Sequence, residues 1–192
     1  MHPSFRYGMM IAIFIGWTTY YPYVVLNGYF ESSTFLPFHL CNIMELLIFI
    51  SLWTRNEKIV DIIVYPLILG PISALSHPLG TFELGGIFAT YFVYYHVLLI
   101  IAGMYFLYRT EFKTSPKRIL NGAIFVFACD GIAFIVNTLT DGNYMFIGDT
   151  AGYAPIAYYS FLFILVWLLL AVFHLVIHFI STKTARTVKE SI

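Results

Sequence analysis

The chain has 192 residues, of which 60% are hydrophobic and only 10% are charged. Water-soluble domains carry about 25% charged residues, so this composition excludes a soluble globular protein and predicts a membrane protein. Ten Lys and Arg balance ten Asp and Glu, and the resulting zero net charge excludes a basic nucleic-acid-binding protein. Because one helical span needs about 20 apolar residues, the length is sufficient for about six spans joined by short loops.

Six apolar runs, separated by polar or turn-forming residues, predict six membrane-spanning helices. In chain order they cover about residues 7–26, 36–53, 59–79, 88–108, 119–139 and 156–180. The predicted fold class is therefore all-α, a polytopic membrane helix bundle in which residues 1–192 form a single transmembrane domain. The third run contains Pro66, Gly70 and Pro71, which predict a bend in that helix.

The distribution of positive charge predicts the orientation of the bundle. When the N-terminus is placed on one side, all ten Lys and Arg fall on that side, and the charged residues of the opposite loops are all acidic. The positive-inside rule then places both termini in the cytoplasm.

No cofactor is predicted. The two cysteines, Cys41 and Cys129, form no CxxC pair, so neither a disulfide scaffold nor a zinc site is indicated. His174 and His178 are four residues apart and could hold a metal on one helix face, but no matching ligand lies on that side, and we favour packing histidines. The sequence contains no ATP-binding loop, haem motif or redox pair.

Polar residues inside the predicted spans are the first candidates for a functional site, because each ionisable group there costs roughly 2.5 to 3.5 kcal/mol. Seven of them come from four different helices and fall in the outer half or midplane of the predicted bundle: His39, Cys41, Glu45, His77, His96, Asp130 and Asn137. Their shared depth predicts one polar cavity that opens outward. The alternative is a set of interhelical hydrogen bonds that only hold the bundle together.

Helical spacing separates the partners that these residues can have. Cys41 and Glu45 share a helix face, whereas His39 does not share the face of Cys41. Asp130 and Asn137 lie on one stripe and could both face His96, an arrangement that suits either a general base or a satisfied structural histidine. Cys41 reacts only as a thiolate, so in apolar surroundings it needs a histidine such as His77 or His96 nearby.

A polar turn follows the fifth predicted helix. It contains Asp141 and Asn143 and is part of a connection longer than a usual helix link. This connection could form a lid over the cavity or a simple surface loop.

Two segments carry a resemblance to a known family. LPFHLCN at residues 36–42 and NTLTDGNYMF at residues 137–146, together with His96 in a Tyr-rich helix, resemble the bacterial YwaF-like family of integral membrane proteins over roughly residues 6–171. Members of that family usually have one further helix before the helix that begins here. The family is distantly similar to acyltransferases of the transmembrane-protein-164 type, which transfer fatty acyl groups to lysophospholipids and depend on a cysteine in a comparable segment. The resemblance implies that Cys41 is the acyl-accepting residue.

The leading hypothesis is a multi-pass protein of a bacterial plasma membrane that transfers acyl groups between a phospholipid and a lyso-acceptor. In this hypothesis His96, aided by Asp130 or Asn137, activates Cys41 or a substrate hydroxyl, and His39 is a further catalytic candidate. The remaining polar residues are candidates for substrate binding: Glu45, His77, Asn137, Asp141 and Asn143. Membrane lipid is the predicted partner, nucleic acid is not, and the oligomeric state is left open.

Two other hypotheses remain. A small helical protein with an outward-facing pocket is also typical of the substrate-binding subunit of a vitamin or metal-ion importer, which would need a coupling partner on its cytoplasmic surface. In the third hypothesis the chain is a packing or assembly protein, and its buried polar groups only join helices.

Overall fold

The computed structural model describes residues 2–76, 85–146 and 155–190 of the chain. These residues form seven α-helices and one short 3₁₀ helix, and they contain no β-strand. The elements are α1 (Pro3–Leu26), α2 (Leu40–Thr54), α3 (Glu57–Ile63), α4 (Pro66–Ser76), α5 (Gly86–Arg109), α6 (Pro116–Thr140), the 3₁₀ helix Tyr144–Phe146 and α7 (Pro155–Glu190). The predicted all-α class is confirmed.

Within the described part of the chain, four helices are long and apolar enough to cross a membrane, namely α1, α5, α6 and the segment Phe163–Thr182 of α7. The bent pair formed by α3 and α4 raises the number to five if it is one span. The remaining predicted span, residues 36–53, corresponds to α2, which has only 15 residues. At 1.5 Å per residue it extends roughly 22 Å, short of the hydrocarbon core of about 30 Å. The six predicted spans are therefore four long helices, one bent pair and one short helix.

The late start of α2 has a local cause. The sequence predicted a helix from residue 36, but His39 is still extended, with φ −72° and ψ 147°. Pro37 disfavours helical geometry in the residue before it, and the amide of Phe38 donates to the carbonyl of Leu36 at 2.8 Å in a tight turn. The predicted helix began too early because residues 36–39 were assigned to it on their apolar character alone.

The bend predicted for the third run is confirmed. The run is divided into α3 and α4, which meet at an angle of 52°. The break lies at Val64 and Tyr65, directly before Pro66, which lacks an amide hydrogen and disfavours helical geometry in Tyr65. Residues 77–79, the end of the predicted span, lie outside the described residues.

The core of the bundle lies around α2, α4 and α5. Met44, Ile48 and Leu52 of α2 are fully buried, as are Leu67 of α4 and Leu107 of α5. Helix α5 contacts α1, α2, α3 and α4, whereas α7 packs mainly on α6. Large apolar side chains also cover the outer faces of the helices, most densely on α7, as expected where lipid replaces water.

Candidate functional site

A cavity of about 960 Å³ lies at the end of the bundle where α1 ends and α2 begins. Its wall includes residues from α1, α2, α4, α5, α6 and α7, and most of this wall is aromatic or aliphatic. Four predicted catalytic residues line it together: His39, Cys41, His96 and Asp130. The structure therefore brings into one cavity four polar residues that come from three different segments of the chain.

Cys41 lies in the first turn of α2 and lines the cavity while only 8% exposed. Gly70 of α4 lies beside it, and a Cβ at Gly70 would stand 3.9 Å from Sγ of Cys41 and 3.4 Å from the Met44 methyl group. The side chain of His39, the residue that precedes α2, makes no capping hydrogen bond. The start of a helix favours negative charge, so this position suits a nucleophilic sulfur.

His96 is buried in the middle of α5 and lies between the rings of Phe92 and Tyr95. Its Nδ1 is 2.6 Å from the carbonyl oxygen of Phe92. A carbonyl oxygen can only accept, so Nδ1 carries the proton and Nε2 carries the lone pair. From the sequence we expected Asp130 or Asn137 to orient this ring. In the structure, the hydrogen-bond partner of the imidazole is instead the backbone carbonyl of Phe92, four residues earlier in α5.

His39 is oriented by the loop that follows α6. The backbone N–H of Met145 donates to Nδ1 of His39 at 3.3 Å, and the Tyr144 ring packs edge-on against the imidazole at 5.2 Å. The amide of Leu40 donates to the sulfur of Met145 at 2.9 Å. The loop thus contacts both the histidine and the first residue of α2.

Asp130 is half-buried in α6 and lines the cavity. It makes no hydrogen bond or ion pair with any other residue that the structure describes. Its carboxylate therefore lies on the α6 side of the cavity, where it can accept a hydrogen bond or pair with a positive charge.

Asn137 holds the loop rather than lining the cavity. Its Oδ1 accepts from the amide of Tyr144 at 2.7 Å, and its Nδ2 donates to the Tyr144 carbonyl at 3.0 Å. Tyr144 is fully buried, and its hydroxyl donates to the carbonyl of Ser32 at 2.6 Å and accepts from the amide of Leu36 at 2.9 Å. Burial raises the pKa of this hydroxyl above its usual value, so it remains a donor. The loop after α6 is thereby joined to the α1–α2 connection.

Two other predicted binding residues belong to the same loop. Asp141 ends α6 in a left-handed conformation with φ 52°, and Asn143 is exposed. Neither lies in the described cavity wall, whereas Met145 does. In the described part of this connection, Met145 is therefore the residue that lines the cavity, and residues 147–154 lie outside the described residues.

Glu45 lies behind the cavity wall and is only 1% exposed. Its Oε2 accepts hydrogen bonds from Nε1 of Trp17 at 2.9 Å and from the hydroxyl of Tyr91 at 3.3 Å. Its Oε1 has no partner among the described residues. Tyr91 lines the cavity, whereas Glu45 is not part of the described wall. His77, another predicted binding residue, lies outside the described residues.

Sequence reasoning missed the aromatic wall of the cavity. Phe88, Tyr91, Phe92 and Tyr95 of α5 all line it, and Tyr91 stacks on Tyr20 of α1 with ring centroids 3.9 Å apart. The four residues of α5 are three, four and seven positions apart and so share one helix face. That spacing was visible in the sequence, but only polar residues inside the predicted spans were considered as site candidates.

At the opposite end of the bundle, His174 and His178 join α7 to neighbouring segments of the chain. Nδ1 of His174 is 2.9 Å from the hydroxyl of Tyr65, and Nδ1 of His178 is 3.2 Å from the hydroxyl of Thr114. Arg118 forms an ion pair with Asp61 at 2.6 Å in the same region. These contacts agree with our preference for packing histidines.

A family model described as the TMEM164 family matches residues 2–180 of the chain. No curated protein and no solved structure gives a significant match.

Proposed function

The chain belongs to the TMEM164 family, a membrane-protein family, and on this basis we propose that its large cavity is the site of acyl transfer between a phospholipid and a lyso-acceptor. The observation that carries the proposal is the presence of Cys41 and His96 in one cavity wall, with the Nδ1 proton of His96 engaged by a carbonyl. This arrangement leaves Nε2 as the atom that can accept a proton. A thiol and a histidine base are the two groups that nucleophilic acyl transfer requires.

The shape and lining of the cavity support a lipid substrate. Its volume of about 960 Å³ is near the upper end of the range of about 300–1,000 Å³ that is usual for small-molecule sites. The wall consists mostly of apolar and aromatic side chains such as Phe88, Phe127 and Phe134, which suit an acyl chain. The few polar groups are then available for the ester.

In the first half-reaction, Nε2 of His96 takes the proton of the Cys41 thiol, and the thiolate attacks the carbonyl carbon of a phospholipid ester. The C–O bond of the ester breaks, and the leaving oxygen takes the proton back from His96. A lysophospholipid departs, and a thioester remains on Cys41. Asp130 would stabilise the positive charge that His96 carries between these steps.

In the second half-reaction, the hydroxyl of a lyso-acceptor loses its proton to His96 and attacks the thioester carbon. The C–S bond breaks, and the departing Cys41 thiolate takes the proton from His96. The acyl group has then moved from one lipid to the other, with both side chains restored. Asn137, Asp141 and Asn143 contribute by building the loop over the cavity rather than by touching the substrate.

We place this protein in a bacterial plasma membrane as a multi-pass protein, with the cavity at the outer side. The resemblance to YwaF-like proteins supports the bacterial membrane. Basic residues such as Arg6, Arg109 and Arg118 lie at the end of the bundle away from the cavity, and the positive-inside rule supports a cytoplasmic location for that end. The substrate would then come from the outer leaflet.

The thioester on Cys41 is the most direct test. Purified protein in liposomes is incubated with an acyl-labelled phospholipid without acceptor, and its intact mass is measured before and after hydroxylamine treatment. We expect a hydroxylamine-labile acyl adduct on the wild type and on Cys129→Ala, the control at the other buried cysteine, and no adduct on Cys41→Ala. An adduct that persists on Cys41→Ala would contradict the proposal, and so would its absence from the wild type.

A further inference from the structure

One tyrosine of the cavity wall has a hydroxyl group that is not used inside the bundle. Tyr95 of α5 lines the cavity and is only 9% exposed. Its hydroxyl makes no hydrogen bond with any residue that the structure describes, whereas the hydroxyl of Tyr91, one turn earlier on the same helix face, donates to Glu45. A buried polar group without a partner is unfavourable, so this hydroxyl is suited to a partner in a bound molecule.

The hydroxyl of Tyr95 is open to the cavity. In the described part of the chain, Oε1 of Glu45 is the one completely enclosed side-chain oxygen or nitrogen that lacks a hydrogen bond. The Tyr95 hydroxyl also lacks a hydrogen bond, so it must retain accessible surface. Because Tyr95 is otherwise buried and belongs to the cavity wall, that surface faces the cavity.

Tyr95 lies close to both reacting side chains. It directly precedes His96, and the two rings pack with centroids 4.0 Å apart and an interplanar angle of 34°. The ring of Tyr91 packs against it at 5.0 Å. Tyr95 and Cys41 are near enough for charges on the two side chains to interact. The tyrosine ring is therefore held by its neighbours, and its hydroxyl shares a cavity with the proposed nucleophile and base.

We propose that Tyr95 is a further catalytic residue, whose hydroxyl donates a hydrogen bond to the carbonyl oxygen of the substrate ester when the Cys41 thiolate attacks. This inference rests on the acyl transfer proposed above. A fixed donor at the position where negative charge develops stabilises the transition state, and its effect is largest where water is excluded. Apolar surroundings favour the neutral phenol over a buried phenolate, so Tyr95 keeps the proton that it donates.

The donor role requires no net proton transfer at Tyr95. When the thiolate forms the C–S bond, the electron pair of the C=O bond moves onto the carbonyl oxygen, which accepts the hydrogen bond from Tyr95. When the C–O bond of the ester breaks, the pair returns to the carbonyl, and the leaving oxygen takes its proton from His96. The same oxyanion forms when the lyso-acceptor attacks the thioester, and it collapses when the C–S bond breaks.

Tyr20 is the alternative donor in the wall, because its hydroxyl likewise has no hydrogen bond to a described residue. Its ring stacks on Tyr91 at 3.9 Å and lies edge-on to Phe88 at 6.1 Å. Of these two tyrosines, Tyr95 is the one that packs on the ring of His96. Tyr95 thus combines an available hydroxyl with contact to the base.

Two phospholipid analogues test the donor role without turnover. In one analogue a difluoroketone replaces the reacting ester, and in the other an ether replaces it. The Cys41 thiolate, formed by proton transfer to His96, adds to the ketone carbon and leaves the carbonyl electron pair on the oxygen, whereas the ether has no carbonyl group. Calorimetry in detergent measures both affinities. We expect Tyr95→Phe to weaken binding of the ketone by about 10²–10³-fold, the usual effect of one oxyanion donor, and to leave binding of the ether nearly unchanged.

The controls separate a hydrogen-bond donor from a packing residue. Tyr94→Phe removes the neighbouring hydroxyl of α5, which donates to the carbonyl of Ala12 and is not part of the described wall, so this variant should bind both analogues like the wild type. Equal losses of affinity for ketone and ether in Tyr95→Phe would overturn the proposal, and so would unchanged binding of the ketone. A larger loss for the ketone in Tyr20→Phe than in Tyr95→Phe would also overturn it.

Steady-state acyl transfer provides the second measurement. We expect Tyr95→Phe to lower kcat by about 10²–10³-fold at nearly unchanged KM. If the wild type transfers acyl groups and Tyr95→Phe does so with the same kcat, the donor role is wrong while the proposed function stands. If the wild type neither transfers acyl groups nor binds the ketone more tightly than the ether, both proposals are wrong. The two failures are therefore distinguishable.

Discussion

Glu45 accepts two hydrogen bonds on a single carboxylate oxygen while it is almost fully buried. Trp17 and Tyr91 have donors that need this acceptor, since an unsatisfied buried donor costs about 1–3 kcal/mol. The carboxyl group therefore joins α1, α2 and α5 behind the cavity wall. Its contribution is to the packing of that wall, whatever molecule the cavity binds.

Replacement of Glu45 tests this assignment. Glu45→Leu leaves both donors without an acceptor, and we expect it to lower the free energy of unfolding by about 2–6 kcal/mol. Glu45→Gln keeps an oxygen that can accept both hydrogen bonds, so its effect should be much smaller. Thermal unfolding in detergent compares the two variants, with Glu31→Gln as the exposed control. Equal stability of the Leu and Gln variants would contradict the assignment.

At the scale of elements, α4 and α5 approach closely at Gly103. A Cβ at this position would lie 2.5 Å from Cγ1 of the buried Ile68, so α4 would have to move. Overpacking of this kind costs typically about 1–3 kcal/mol. We expect Gly103→Ala to be less stable than the wild type in detergent unfolding by that amount.

Gly8→Ala is the matched control for Gly103→Ala. Gly8 is also helical, and its Cβ would have nothing within 4 Å. Alanine favours a helix over glycine by about 0.5–1 kcal/mol, so this variant should be neutral or slightly more stable. Comparable destabilisation by both substitutions would show that close packing of α4 on α5 is not the cause.

The hydroxyl group of Tyr144 attaches the loop after α6 to the α1–α2 connection. Tyr144→Phe removes the two hydrogen bonds to the α1–α2 connection, and we expect faster hydrogen exchange at the amides of residues 32–36, with core amides of α5 unchanged. Tyr29→Phe, in the same connection but exposed, should exchange like the wild type. Unchanged exchange in Tyr144→Phe would mean that other contacts hold the loop.

At the scale of the whole molecule, the charge distribution predicts which end faces the cytoplasm. In a background in which Cys41 and Cys129 are replaced by Ser, a cysteine is introduced as Glu31→Cys at the cavity end or as Lys113→Cys at the basic end. Both positions are exposed. We expect a membrane-impermeant maleimide to label only Glu31→Cys in intact bacterial cells and both variants after permeabilisation. Labelling of Lys113→Cys alone in intact cells would indicate the opposite orientation and contradict the proposal.

The sequence predicted most of the helices because long apolar runs have few other solutions in a membrane. It placed the start of α2 too early, where Pro37 determines the backbone locally, and it predicted the bend at Pro66 but not the division of the run into two helices. Polar residues within the apolar runs were the predicted candidates, and four of them line one cavity. The hydrogen-bond partners were not predictable, because Asn137 or His96 can bond any group within reach, and only the tertiary structure determines which backbone group that is.

In the proposed function, this cavity transfers acyl groups through Cys41. The most direct test is lipid mass spectrometry after purified protein in liposomes is incubated with an acyl-labelled phospholipid and an unlabelled lysophospholipid. We predict label in the acceptor with the wild type and with Cys129→Ala, and none with Cys41→Ala or His96→Ala. Transfer that continues at the wild-type rate in Cys41→Ala would contradict the claim. The absence of transfer by the wild type would also contradict it, and would favour a cavity that binds a solute.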